Sequence, residues 1–284
     1  MRIRSRLIWS CLIALGCAAL QNTIPPPQAA SEPQVATAVT PFDSLASEYE
    51  RSGQLQVMVR YDRPGDPQSI QGYLHLGRVQ SMRLTQAGAD QADLGAGDQL
   101  RQMDALIDAL DNFTQIKADF ASTLTYSDPR LFELPIVVPQ TRPNETETAQ
   151  LTRYLLEGGF ILGLSTKFAD YREGLEKYGH LVWGQDVWTE YLSEDHPLFS
   201  AYFKIKGGAP RSDQQTQPGR PPVERLNGLV VKGRLAGVEF EMPQPNRRVE
   251  RIEDTGRLQL AVNIVVYALT QEGSLTQRLM QRLQ

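Results

Sequence analysis

Between Asn144 and Thr166 the chain reads NETETAQLTRYLLEGGFILGLST, and few local structures satisfy that order of residues. Asn144 can accept an orphan N–H of a first helical turn, and Glu147, three residues on, completes a capping-box pattern. Leu151, Tyr154 and Leu155 then fall at helical spacing and make one apolar face. Gly158 suits the left-handed conformation that closes a helix, and Gly159 permits a tight turn. Phe160 to Leu164 follow without a polar break, as a short strand buried on both faces does. Upstream, Leu134 to Val138 (LPIVV) is a second such run. Strand, helix and strand within about thirty residues form a βαβ unit, which predicts parallel strands and a right-handed crossover. The strands then end side by side at Pro139–Thr141 and Ser165–Thr166. Ligands of open α/β sheets bind beyond that edge, so Gln140, Thr141, Ser165 and Thr166 are candidate ligand contacts.

Composition narrows the chemistry. The 284 residues carry a formal charge of -4, and subtracting the +3 of Arg2, Arg4 and Arg6 leaves -7 on the rest. With no basic stripe, nucleic acid is not an expected partner. The two cysteines are Cys11 and Cys17, so the chain beyond them has no thiol nucleophile and no disulfide. His75, His180 and His196 share no ligand spacing, and neither a metal nor another cofactor is expected.

Residues 1–20 read as an export signal: three arginines precede the apolar run LIWSCLIALGCAAL, shorter than a spanning helix requires. Ala14-Leu15-Gly16-Cys17 resembles a lipoprotein cleavage box, with Cys17 the candidate lipidation site. Simple secretion, lipidation and an uncleaved anchor remain open, and each predicts periplasm or cell envelope. Residues 21–41, rich in Pro and Ala, are too polar to bury a core and read as a disordered tether. Residues 42–284 are expected to form a single domain with a loop insertion near 207–222. Leu55, Val57, Val59 and Tyr61 alternate as a strand. Tyr73 to Leu84 suggests a hairpin or edge strand, Ala87 to Gly97 a loop, and Asp98 a helix cap. Ile116 to Tyr126 suggests one or two short strands. Arg257 to Leu269 is apolar nearly all round and predicts a buried helix, in which Asn263 must find a partner. Ser274 caps a last amphipathic helix.

In that order, LPIVV, YLLEGGFILG, DHPLF, NGLVVKGRLAGVEFE and RLQLAVNIVVYAL resemble the domain of unknown function 4159 family. The likeness covers roughly Gln54 to Gly273. It implies an α/β fold with a mostly parallel sheet flanked by helices, a three-layer, flavodoxin-like sandwich akin to class I glutamine amidotransferases. The family has no established activity. Many members are membrane-attached bacterial proteins encoded beside MoxR-type ATPases and von Willebrand A-type proteins. This chain departs from them in having an N-terminal signal and no later spanning helix, and looks like a short, exported form.

A glutamine amidotransferase needs a cysteine at a strand-to-helix turn with a histidine base, and no cysteine follows Cys17. Gly163-Leu164-Ser165 has the first half of a serine nucleophile elbow and lacks its closing glycine. Asp195 and His196 are the pointed ionisable pair. His196 can act as base, or Asp195 can cap the next turn while His196 packs at a domain edge. The sequence therefore favours a non-catalytic binding or assembly module of the cell envelope, with a protein or glycan partner and membrane association through the N-terminus. The alternative is an envelope hydrolase using Ser165, Asp195 and His196.

Overall fold

The computed structural model describes residues 58–63, 66–82, 93–164, 167–210, 223–224, 226–239 and 252–282. In chain order these form β1 (Met58–Tyr61), β2 (Ile70–Gln80), α1 (Asp93–Phe113), β3 (Gln115–Thr125), β4 (Ile136–Pro139), α2 (Glu145–Leu156), β5 (Phe160–Gly163) and α3 (Arg172–Gly179). Then follow β6 (Val187–Tyr191), β7 (Ala209–Pro210), β8 (Val223–Glu224), β9 (Asn227–Val231), β10 (Arg234–Glu239), α4 (Ile252–Thr270) and α5 (Leu275–Gln281). The expected signal, Cys17 and tether lie outside the described residues. Among the described residues, no helix is long and apolar enough to cross a membrane.

Eight strands make the main sheet, in the order β3-β2-β4-β5-β10-β9-β6, with β1 also on β2. β3, β2, β4, β5 and β10 are mutually parallel. β9 and β6 extend the sheet antiparallel. β3 follows one edge of β2 from Gln71 to Gln80. The other edge is shared end to end, by antiparallel β1 at Ile70–Tyr73 and by β4 at Leu76–Val79. Numbered in chain order, the five parallel strands stand 2-1-3-4-5. The order reverses between β2 and β4, whose C-terminal ends flank a topological switch point.

The βαβ unit is as expected. Ile136 aligns with Phe160 and Val137 with Ile161, in parallel. Burial explains the unbroken apolar runs. Ile136, Val138, Phe160 and Leu162 pack under α1 and α4, while Val137 and Ile161 pack under α2, α3 and α5. Each strand is covered on both faces, so alternation has no polar partner to alternate with. α2 carries the full Asn144–Glu147 capping box. Gly158, at φ +97°, closes it. The Tyr154 hydroxyl lies 2.9 and 3.0 Å from the carbonyls of Leu134 and Pro135 and accepts the Phe160 N–H at 3.1 Å. α4 is buried as expected, and Asn263 binds a neighbouring loop through the Phe203 N–H (2.7 Å) and carbonyl (2.8 Å). Ser274 caps α5.

Three local expectations need correction. Tyr73–Leu84 is neither hairpin nor edge, because Ile70–Gln80 is an interior strand. Its polar side chains find partners within the sheet: His75 meets Asp119, and Arg78 donates to Thr123 Oγ1 at 2.7 Å. The helix expected to start at Asp98 begins at Asp93. Gly95 and Gly97 sit inside it, each at a cost of ~1 kcal/mol, which the buried face of Met103, Leu106 and Leu110 outweighs. Finally, Gln115–Thr125 is one long strand, because β2 offers it a partner along its whole length.

A Cβ on Gly159 would stand 2.2 Å from the Tyr154 ring, a side chain fixed at both its ring and its hydroxyl. Gly159→Ala should therefore destabilise the fold by about 3 kcal/mol, read as a lower urea midpoint. Gly256→Ala, whose new methyl would meet Pro210 at 3.4 Å, should cost far less.

Candidate functional site

The connections leaving the C-terminal ends of the parallel strands are anchored by carboxylates. Glu147, in the first turn of α2, is 1% exposed. Its Oε2 accepts from the Ser81 hydroxyl at 2.6 Å and the Asn144 N–H at 2.8 Å, and its Oε1 accepts from the Met82 N–H at 2.7 Å. The helix N-terminus and three donors compensate the buried charge. Thr141 adds a second tie, its Oγ1 accepting the Ser81 N–H at 2.8 Å. The ends of β2 and β4 are thus locked together across the switch point.

Glu239, at the end of β10, does the same for the chain leaving β5. It accepts from the Phe168 N–H at 2.6 Å and from Asn227 Nδ2 at 3.0 Å. Behind the edge, the buried Tyr126 hydroxyl donates to the Thr141 carbonyl at 2.6 Å. Burial, with Tyr171 and Glu147 nearby, pushes that phenol far above its ordinary range, so it stays a neutral donor. Gln140 holds the edge through its N–H on the Val79 carbonyl (2.8 Å), while its Nε2 is buried without a hydrogen-bond partner among the described residues.

Beside this edge lies a cleft of about 360 Å³ between the start of α2 and α3. Pro143, Glu145 and Thr148 line one side, and Asp170, Glu173, Lys177 and Tyr178 the other. Lys177 pairs with Glu145, which also accepts from the Tyr178 hydroxyl at 3.0 Å. Asp170 pairs with Arg142 at 2.6 Å. The lining is mostly hydrogen-bonding, with one aromatic ring, and suits a polar, hydroxyl-bearing or peptide ligand rather than an apolar one.

Gln140 and Thr141 therefore share the strand-end region. Ser165 and Thr166, like Cys17, lie outside the described residues. His196 is elsewhere. It follows β6 and stands half-buried with its ring edge-on to Tyr267 of α4, centroids 5.3 Å apart. Tyr267 feels the charge of Arg234, at the N-terminal start of β10, the end opposite Glu239. Asp195 is exposed and does not cap the turn at Pro197–Ser200. The cap is His196, whose Nδ1 accepts the Leu198 N–H at 3.2 Å.

Sequence reading identified Glu147 as a capping residue and missed its hold on Ser81 and Met82, residues 66 and 65 positions away. It also missed the cleft residues Asp170, Glu173, Lys177 and Tyr178, and the Arg142 that pairs with Asp170. Charged residues in first and last turns read as ordinary solvated surface, and only the crossing of α2 and α3 makes them one wall.

Glu147→Ala leaves three donors without their acceptor and should cost about 3 kcal/mol or more, measured by urea denaturation. At His196, burial lowers the pKa below the ordinary value, against a smaller opposing effect of Glu190. The folded state then binds fewer protons than the unfolded one. The stabilisation is complete above the unfolded value near 6.5 and is lost as pH falls below it toward the folded value. His196→Asn keeps a capping acceptor and should flatten that acid-side fall in melting temperature.

A family model described as "Domain of unknown function (DUF4159)" matches residues 91–269, from the start of α1 to the end of α4. No curated protein matches the chain.

Proposed function

This chain belongs to the DUF4159 family, and from that premise we propose that it is a non-catalytic binding or assembly module of the bacterial cell envelope. The proposal extends to its scaffold, read as a flavodoxin-like, amidotransferase-like three-layer sandwich. The 2-1-3-4-5 order of the parallel strands supports that scaffold. Export rests on the arginines and apolar run of residues 1–20, with attachment at Cys17 as one route.

One observation carries the binding reading. The carboxylates at the strand ends, Glu147 and Glu239, direct their oxygens at backbone and side-chain donors that fix the loops. Acids so committed build a rigid rim rather than hold or move a substrate proton. The sequence beyond Cys17 also lacks the thiol that amidotransferase chemistry needs. The α2–α3 cleft is the surface assigned to the partner, a protein segment or a glycan.

The full chain should turn over none of a panel of ester, amide and glycoside substrates. A photocrosslinking residue in place of Tyr178 should capture a discrete envelope partner, and Glu173→Lys should abolish that capture in folded protein. Turnover abolished by His196→Ala would instead favour a hydrolase acting through Ser165, Asp195 and His196.

A further inference from the structure

β3 ends the sheet opposite β6 and runs eleven residues, Gln115–Thr125. Among the described residues it pairs with β2 alone. An edge of that length offers a row of backbone donors and acceptors to another strand. The register of β3 on β2 shifts after Gly77, leaving Ser122 as an extra residue between Ala121 and Thr123. The bulge interrupts the ladder locally, and pairing resumes at Thr123. The longer uninterrupted stretch of the edge is Gln115–Ala121, and its midpoint is Ala118.

We propose that this edge is a self-association surface, on which a second copy of the chain lays its own β3 antiparallel about a two-fold axis at Ala118. The side-chain pattern is self-complementary in that register alone. Lys117 falls opposite the partner's Asp119, and Asp119 opposite the partner's Lys117. On the other face Ile116 falls opposite the partner's Phe120, and Ala118 meets its own copy. Opposed residues of antiparallel strands share a face, so charges meet charges, and the other face is apolar throughout, with Ile116 fully buried and Ala118 and Phe120 partly so. A shift of the axis to Lys117 or Asp119 would set like charges against each other.

The surroundings fit the same occupant. Ala118 and Phe120, with Ile107 and Phe113 of α1, are only partly buried against the core. α1 packs on β3, so these groups form one apolar margin beside the edge. The charged pair is accessible: the Lys117 and Asp119 side chains are 55% and 54% exposed. Within one copy Lys117 pairs with Asp111 at 2.8 Å and Asp119 meets His75. The Lys117–Asp111 pair is exposed on both sides and contributes little, so its exchange costs little. His75 is buried, and its contact takes one oxygen of Asp119, Oδ1, which leaves the second to accept from the partner's Lys117 without breaking it.

The test is a charge swap in the full chain, followed by light scattering after size exclusion and by sedimentation. The wild type should dimerise. Lys117→Asp and Asp119→Lys should each raise the dimer dissociation constant at least tenfold, and the double variant should recover wild-type association. Circular dichroism checks folding, which matters for Asp119→Lys because it loses the His75 contact; Lys117→Asp leaves that contact in place. Ala118→Cys, mildly oxidised, should yield a dimer with a 118–118 bridge identified by mass spectrometry. A monomeric wild type at the highest accessible concentration overturns the proposal. So does a dimer indifferent to both single substitutions, or a folded Ala118→Cys dimer that forms no such bridge.

Discussion

The structure depends on how firmly α2 is held. At its first turn the buried Glu147 carboxylate gathers donors from the end of β2 and from the turn after β4. In its last turns Tyr154 places its hydroxyl among backbone groups of β5 and of the chain entering β4. Beyond its end, the Arg234 guanidinium, at the start of β10, donates to the Leu155 and Gly159 carbonyls at 2.7 and 3.0 Å. Burial lowers Arg234 to about 10, which still leaves it charged at neutral pH, and a cation at a helix C-terminus is favourably placed. One twelve-residue helix thereby fixes four parallel strands. The polar groups that do this are buried and mutually satisfied, an arrangement that rigidifies a core.

This firmness shapes the chemistry open to the strand-end region. Backbone N–H groups there are taken up by Glu147 and Glu239, and the Thr141 carbonyl by Tyr126. Among the described residues, what is open to a ligand is the cleft wall made by the start of α2 and by α3. Gly174 lets those helices approach closely, since a Cβ there would lie 1.9 Å from Thr148 Cγ2. The cleft is a by-product of that crossing and inherits its rigidity.

Much of the βαβ unit was legible in sequence because its determinants are local. Capping box, closing glycine and apolar runs lie within a few residues of what they control. The same holds for Asn263 and Ser274, whose surroundings made a hydrogen-bond partner or a cap obligatory. What could not be read was non-local. The interior position of β2 depends on β3 and β4 arriving from far along the chain. The polar His75 and Arg78 suited a hairpin or edge strand because Asp119 and Thr123, their partners 44 and 45 residues later, are not neighbours in sequence. His196 was singled out in sequence as a candidate base, and in the fold its imidazole does a cap's work.

The end-to-end sharing of one edge of β2 by β1 and β4 has a kinetic corollary. β1 can pair with β2 as soon as both are made, since only a short turn separates them. The rest of that edge must wait for Ile136–Pro139, and the interlock with Glu147 for α2 after it. Until then the C-terminal half of one edge of an eleven-residue strand, with its buried Leu76 and Val79, stands unpaired, the kind of species that aggregates or recruits chaperones. Closing loops of this length before any parallel contact rewards them also slows the search. Synthesis order therefore sets a vulnerable interval, which ends when α2 docks.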